Sequence, residues 1–333
     1  MSTAASTATP AGRLIDFRLG PWTSFFVRRT GRLLVSLAAL VTAAFAMIHF
    51  VPGDPVRGAL GLNATPEAVA ARKEQLGLDD SLIDQYKHFV SGLFHGDLGE
   101  SITARVPVSR MIGDRLPATM EIAIYAFLLV MLVAIPLGMA MAVWTRNGRR
   151  RRGELAFASS TGAIVAIPEF LLAVGLASVF GVSLGWFPVA LREGPDSYVL
   201  PVLALAITPI AALSRIVRVE ALRVFETDYM RTARAKRLPG RLVYLRHALP
   251  NLLTSSLTLG GLLLSGLLAG TVLIENVFAW PGLGMTIVQA ILQKDYPLVQ
   301  GIVLVYGAAA LTINFVVDLA VAAADPQSTI RGS

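Results

Sequence analysis

Six stretches of this 333-residue chain are apolar over about 20 residues each, and that block length constrains the fold more than any motif does. They fall at 33–51, 118–144, 156–180, 200–219, 252–274 and 298–321. A hydrocarbon core about 30 Å thick is crossed by about 20 helical residues rising 1.5 Å each. No water is available there for the backbone, so every N–H and C=O must bond within its own segment, and helices are the expected spanning element. Composition agrees, since 54% of the residues are hydrophobic and 15% charged, against about 25% charged in an ordinary soluble domain. The expected fold is an all-α polytopic membrane protein of about six transmembrane helices.

Cysteine is absent, which excludes disulfides, thiolate zinc sites and cysteine nucleophiles. The net charge of +7 is concentrated between spans. Arg146, Arg149, Arg150, Arg151 and Arg152 share one short loop, and Arg223, Arg231, Arg234, Lys236, Arg237, Arg241 and Arg246 share another. The positive-inside rule makes both loops cytoplasmic; Arg28, Arg29 and Arg32 put the N-terminus on the same side, and an even number of spans returns Arg331 there too. The basic excess is therefore an orientation signal with generic affinity for anionic membrane lipid, and no nucleic-acid partner is expected.

This topology divides the chain. Residues 1–28 read as a disordered cytoplasmic tail and 29–51 as the first span, an uncleaved anchor whose apolar run exceeds that of a signal peptide. Residues 52–116 mix acids (Asp54, Glu67, Asp79, Asp80, Asp97, Asp114) with bases and read as a small external helical subdomain. Within it Thr65-Pro66 marks a helix start, and Leu82, Tyr86, Phe89 and Leu93 recur at helical spacing after Asp80-Ser81. Residues 117–325 form the core, with an elbow at 226–250, and 326–333 a cytoplasmic tail.

Two segments carry mechanism. Asp228 to Arg237, then Leu-Pro-Gly240, then Arg241 to Pro250 read as two short helices around a Pro239-Gly240 break. In the second, Leu242, Leu245 and Leu249 are expected on one face, with Arg241 and Arg246 away from it. Ala233 and Ala235 are small enough for a partner to approach closely; contact with lipid head groups alone is the competing reading. Glu275 to Gly284 reads as an elbow near a pore mouth, with Glu275, Phe278, Trp280, Pro281, Gly282 and Gly284 as candidate pore or external-gate residues. Glu275 either faces the pathway or a partner, or caps the elbow. Gly266 and Gly270 allow close helix packing, and Pro136, Pro168 and Pro201 allow kinks. Arg192, Glu193 and Asp196 read as solvated loop charges. The histidines (His49, His88, His95, His247) have no ligand spacing, so no metal site is expected. No Gly is followed by Lys, so the chain has no phosphate-cradling loop of its own.

The 228–250 segment resembles the coupling motif of ABC importer permeases, in the version of the dipeptide, oligopeptide and nickel family. Val51-Pro-Gly-Asp-Pro-Val56, Gly96-Asp-Leu-Gly-Glu-Ser101, Glu275 to Gly284, Asp295-Tyr-Pro297, Asn314 with Asp318, and Asp325-Pro326 stand in the family's order. The resemblance implies type I ABC importer permease architecture in a bacterial inner membrane. It implies a sister permease, one or two cytoplasmic ABC ATPase subunits carrying ATP and Mg, and an external substrate-binding protein; no cofactor is implied on this chain. It maps ATPase coupling onto Arg231, Thr232, Ala233, Arg234, Ala235, Lys236, Arg237, Gly240, Leu242, Leu245, His247 and Pro250. One departure stands out: Arg237 occupies a position where the family has Gly, and Gly240 is expected to take over the left-handed turn. The cargo stays open among dipeptides, oligopeptides, nickel complexes and related solutes. An ion-coupled secondary transporter is the alternative, but it calls for internal repeats that the chain lacks. A membrane-embedded hydrolase would need a histidine near Ser159, Ser160 or Ser265 on a span interior, which is also missing.

Overall fold

A computed structural model describes residues 21–50, 56–57, 65–75, 79–148 and 150–324. Expectations placed on 1–20, 51–55 and 325–333 lie outside the described residues; these include most of the N-terminal tail and of the Val51 motif, Asp325-Pro326 and the C-terminal tail.

Helix α1, Pro21–Phe50, begins well before its apolar block because Pro21 supplies a first-turn residue with φ already set. Arg28, Arg29 and Arg32 therefore ride on a helix, and 21–28 is not tail. Two shorter helices follow. In α2, Pro66–Gln75, Thr65 Oγ1 accepts from Ala68 N–H at 3.3 Å. In α3, Leu82–Phe94, Ser81 Oγ accepts from Asp84 N–H at 3.3 Å. Both are N-caps that satisfy an orphan donor. Tyr86 and Phe89 lay α3 on Phe45 of α1, at ring distances of 5.2 and 5.8 Å, while Leu82 points away and stays exposed.

Helix α4, Val108–Thr145, has 38 residues and is about 57 Å long. It runs through Pro117 without a break, so the segment expected to be external and the second span share one helix rather than meeting at 116/117. The third block is not a straight span: α5, Arg151–Ala166, and α6, Glu169–Leu176 with its π-helical extension Ala177–Ser183, meet at 92°. Pro168 is the cause, since its ring disfavours helical geometry at Ile167, which is extended at ψ 124. Then come α7, Val199–Phe225; α8, Asp228–Ala235; α9, Leu249–Val277; α10, Leu283–Leu292; and α11, Tyr296–Ala324. Among the described residues five helices are long and apolar enough to cross a membrane, and the bent α5–α6 pair makes six if it counts as one span.

Small residues bring the spans together, as expected where lipid removes most of the hydrophobic drive between helices. Ala118, Ala126 and Ala134 of α4 share a buried cluster with Ala204, Ala206 and Val217 of α7, and Gly138 of α4 lies against Ser214 and Val217. A Cβ at Gly138 would sit 2.5 Å from the Ser214 carbonyl oxygen, so this crossing requires Gly. On the other side α1 lies on α11: Arg29 pairs with Asp318 at 2.5 Å, Gln300 Nε2 donates to the Ala44 carbonyl at 3.2 Å, and Gly307 leaves room for Leu40.

Candidate functional sites at two elbows

The basic elbow is built on a buried cluster that joins the ends of three spans. Met230 and Ala233 of α8 pack with Ala142 of α4, Ala221 and Phe225 of α7, Val243, Ala248, and Leu252 of α9. Arg234 fixes α8 further, donating to the Phe225 carbonyl and, at 3.2 Å, to that of Met230. Three expectations change here. Ala233 is 6% exposed, so of the two small residues only Ala235 is open to a partner. Leu242 and Leu245 do not share a buried face with Leu249; they are 41% and 45% exposed. The reason is the π-helical stretch Val243–Ala248, whose wider turn shifts the helical phase and buries Val243 and Ala248 instead. Finally, Arg237 itself adopts φ +55°, while Gly240 has no positive φ and opens the next helical turn, Gly240–Leu242, after Pro239. Arg237 N–H donates to the Arg234 carbonyl at 2.9 Å, closing α8 at that point, so the turn never moves to Gly240.

The same elbow presents Arg231, Thr232, Lys236, Arg237, Arg241, Leu242, Leu245, Arg246 and Pro250 outward, with Tyr229 43% exposed beside them and His247 half-buried. Its outer surface thus alternates apolar side chains with cations.

The second elbow, between α9 and α10, is a packed knot. Glu275 is fully buried. Its Oε1 accepts from Thr119 Oγ1 at 2.7 Å, and its Oε2 accepts from Gly284 N–H at 2.6 Å and Met285 N–H at 3.1 Å. The carboxylate thereby caps the N-terminus of α10, where free N–H groups and the helix dipole favour a negative charge. Of the two readings of Glu275, the geometry is that of the cap: it points into the protein, not into open space. Thr119 Oγ1 also accepts from Leu283 N–H at 2.8 Å, and Trp280 Nε1 donates to the Ala118 carbonyl at 3.0 Å, so three hydrogen bonds stitch α4 to the elbow. Phe278 and Trp280 are buried, with Trp280 edge-on to Tyr198 at 4.7 Å, and Pro281 is half-buried. Gly282 and Gly284 are required by close approach, because a Cβ at Gly282 would strike the Glu275 carboxylate and one at Gly284 the Val272 backbone.

One polar group was read as solvated in the sequence and two were given no role there. Arg192 is not simply solvated: its NH2 pairs with Glu121 at 2.7 Å and its Nε donates to the Tyr198 hydroxyl at 2.8 Å, contacts that raise its already high pKa, the Tyr198 bond first. Buried Asp295, present in the Asp-Tyr-Pro motif, accepts from Ser101 Oγ, Thr103 Oγ1 (2.7 Å) and Ile102 N–H (3.2 Å), tying the loop before α11 to the segment before α4. Glu169, an acid inside the third apolar block, lies at the break between α5 and α6. The Gly266–Gly270 pair divides likewise, since Gly270 packs on Leu205 and Glu169 while nothing lies within 4 Å of a Cβ at Gly266.

The architecture and motifs agree with comparisons to known proteins. The family described as "Binding-protein-dependent transport system inner membrane component" matches residues 134–329, and its N-terminal counterpart matches 22–123. The glutathione transport system permease protein GsiC of Pectobacterium atrosepticum is 35% identical over 303 residues, 91% of this chain and 98% of that protein. A Brucella suis protein whose name assigns it provisionally to a peptide transport system, as its permease, is 37% identical and covers 92% of this chain and 98% of its own length. In structure, a chain of the MetNI methionine ABC transporter in inward-facing conformations superposes with a TM-score of 0.52 at 18% identity, over 64% of this chain and 96% of that one, a likeness of fold. Permeases of this family work with a partner permease, an ATPase and a binding protein, and are transport subunits rather than enzymes. The ion-coupled alternative is thereby set aside, and the chain belongs to the inner-membrane permease components of binding-protein-dependent ABC importers, of the dipeptide and oligopeptide type.

Proposed function

We propose that this chain forms half of the translocation pore of an importer for short peptides, glutathione among them, and that the 226–250 elbow is where a cytoplasmic ATPase drives it. The observation that carries the reading is the buried cluster beneath that elbow, which joins α4, α7, α8 and α9. Force applied to Tyr229, Leu242 and Leu245 would move the ends of three spans together, and the surrounding cations suit an acidic rim on the ATPase. ATP and Mg belong to that partner. The cargo class follows the names of the relatives, a glutathione permease and a peptide permease.

The sister permease supplies the other half of that pore. Glu275, Phe278, Trp280, Pro281, Gly282 and Gly284 act as a fixed lintel at the outer mouth rather than as a swinging gate. Arg28, Arg29 and Arg32 orient both termini to the cytoplasm. Because the chain lacks cysteine, the coupling site is testable by single substitutions. Ala235→Cys and Leu245→Cys crosslink to the ATPase in a nucleotide-dependent manner, and buried Ala233→Cys does not. Failure of both exposed positions in every nucleotide state would remove this role from the elbow.

A further inference from the structure

The third apolar block holds an acid that neither elbow uses. Glu169 opens α6 at the 92° break after Pro168. Among the described residues no donor and no cation engages its carboxylate. Both oxygens lie against α9: a Cβ built on Gly270 would sit 3.1 Å from Oε1 and 3.4 Å from Oε2. Gly270 lies inside the apolar part of α9, Leu249–Val277, seven residues or about 10 Å from its end at Val277. A carboxylate is expensive at that depth unless it faces water or a partner charge, so a lipid-facing position is excluded.

The surroundings are open. Ile167, Phe170 and Leu171 beside it are 40%, 46% and 49% exposed. Gly266, one turn from Gly270 on the same face of α9, has nothing within 4 Å of its Cβ position. The helix break therefore brings a single negative charge to an open wall formed by α6 and α9, within the membrane-spanning part of the chain.

We propose that Glu169 is a binding residue of the translocation pathway, a carboxylate that takes the ammonium or guanidinium group of a passing solute. A peptide's amino terminus is such a group. The inference rests on the reading of this chain as half a pore. A negative charge in a narrow passage with low-dielectric walls concentrates cations, which speeds their passage without requiring tight binding.

The test uses the complete importer in proteoliposomes, its permease carrying one reporter at Leu171→Cys. The probes are a cationic (trimethylammonioethyl) and an anionic (sulfonatoethyl) methanethiosulfonate, and modification is followed on the permease band alone. Each rate is divided by that of a free small thiol. The normalised cation-to-anion ratio should exceed one in the Glu169 chain, fall toward one as salt is raised, and drop about tenfold in Glu169→Gln, with Glu169→Asp preserving it. A ratio at or below one in the unsubstituted Glu169 chain overturns the proposal without recourse to a variant. So does a ratio that Glu169→Gln leaves unchanged, the result expected if a cation of the sister permease or a proton already neutralises the carboxylate; either result leaves the importer reading standing. A reporter that neither reagent reaches in any nucleotide state overturns the pore-wall reading and the proposal with it.

Discussion

Replacing Arg237 by Gly removes a Cβ from the one described residue of the 226–250 elbow that sits at positive φ, +55°. An L-residue in left-handed geometry carries a cost of about 1–2 kcal/mol. Glycine relieves it but loses about 0.5–1 kcal/mol through its greater freedom when unfolded. The net gain is about 1 kcal/mol, which corresponds to a roughly fivefold decrease in local opening. Hydrogen exchange of the assembled importer reads this at the amides that close α8: Lys236 N–H, bonded to the Thr232 carbonyl at 3.0 Å, and Arg237 N–H, bonded to that of Arg234 at 2.9 Å. Both should exchange about fivefold more slowly in Arg237→Gly. Arg237→Ala separates conformation from charge, because it drops the cation yet keeps a Cβ at the same φ, and it should show no such slowing. Gly240→Ala should be nearly neutral, since its Cβ would meet only the Tyr244 ring, at 3.6 Å. If Gly and Ala at 237 behave alike while Gly240→Ala accelerates exchange, the left-handed turn lies at Gly240 and the reasoning fails.

Other consequences are equally direct. Glu275→Gln turns an amide NH₂ or a weaker acceptor toward three donors and should cost about 2–3 kcal/mol, read as loss of the purified assembly on heating. Thr119→Val should cost about 1–3 kcal/mol, and because the two residues share a bond the double variant should lose less than the sum. Gly138→Val drives side-chain atoms into the Ser214 carbonyl and Val217, so the α4–α7 crossing must open, at about 1–3 kcal/mol or more, with lower yield of the folded permease. Asp295→Asn weakens the clasp on Ser101 and Thr103 and should speed external proteolysis around residues 100–107 without altering the basic elbow.

The spans were legible because membrane thickness sets a block length that any apolar residues can fill. Ser81 and Pro66 likewise announced helix starts, since a cap is a local device. Direction was only partly legible: Pro168 marked a place for a kink in the 156–180 block, but its hydropathy is that of a straight span and nothing in the sequence gives the 92° turn at Ile167. The phase of the basic elbow was lost for a related reason, because a helical wheel assumes 3.6 residues per turn and Val243–Ala248 does not follow it. At Arg237 residue preference pointed to the nearby glycine, yet the path of the chain is set by the anchoring of Met230 and Ala233 in the cluster, and Arg237 takes the angle that remains. The Glu275 cap joins groups 156 residues apart, a pairing no spacing rule reaches. Glu169 did leave a signal, one acid in an apolar block immediately after a proline.

The most direct test of the account is uptake by proteoliposomes that hold this chain, its sister permease, the ATPases and the binding protein. Labelled glutathione or dipeptide should accumulate only when ATP and Mg are present on the ATPase side, should persist when ion gradients are collapsed, and should stop when the binding protein is omitted. Accumulation that survives ATP removal and follows an imposed ion gradient would contradict it.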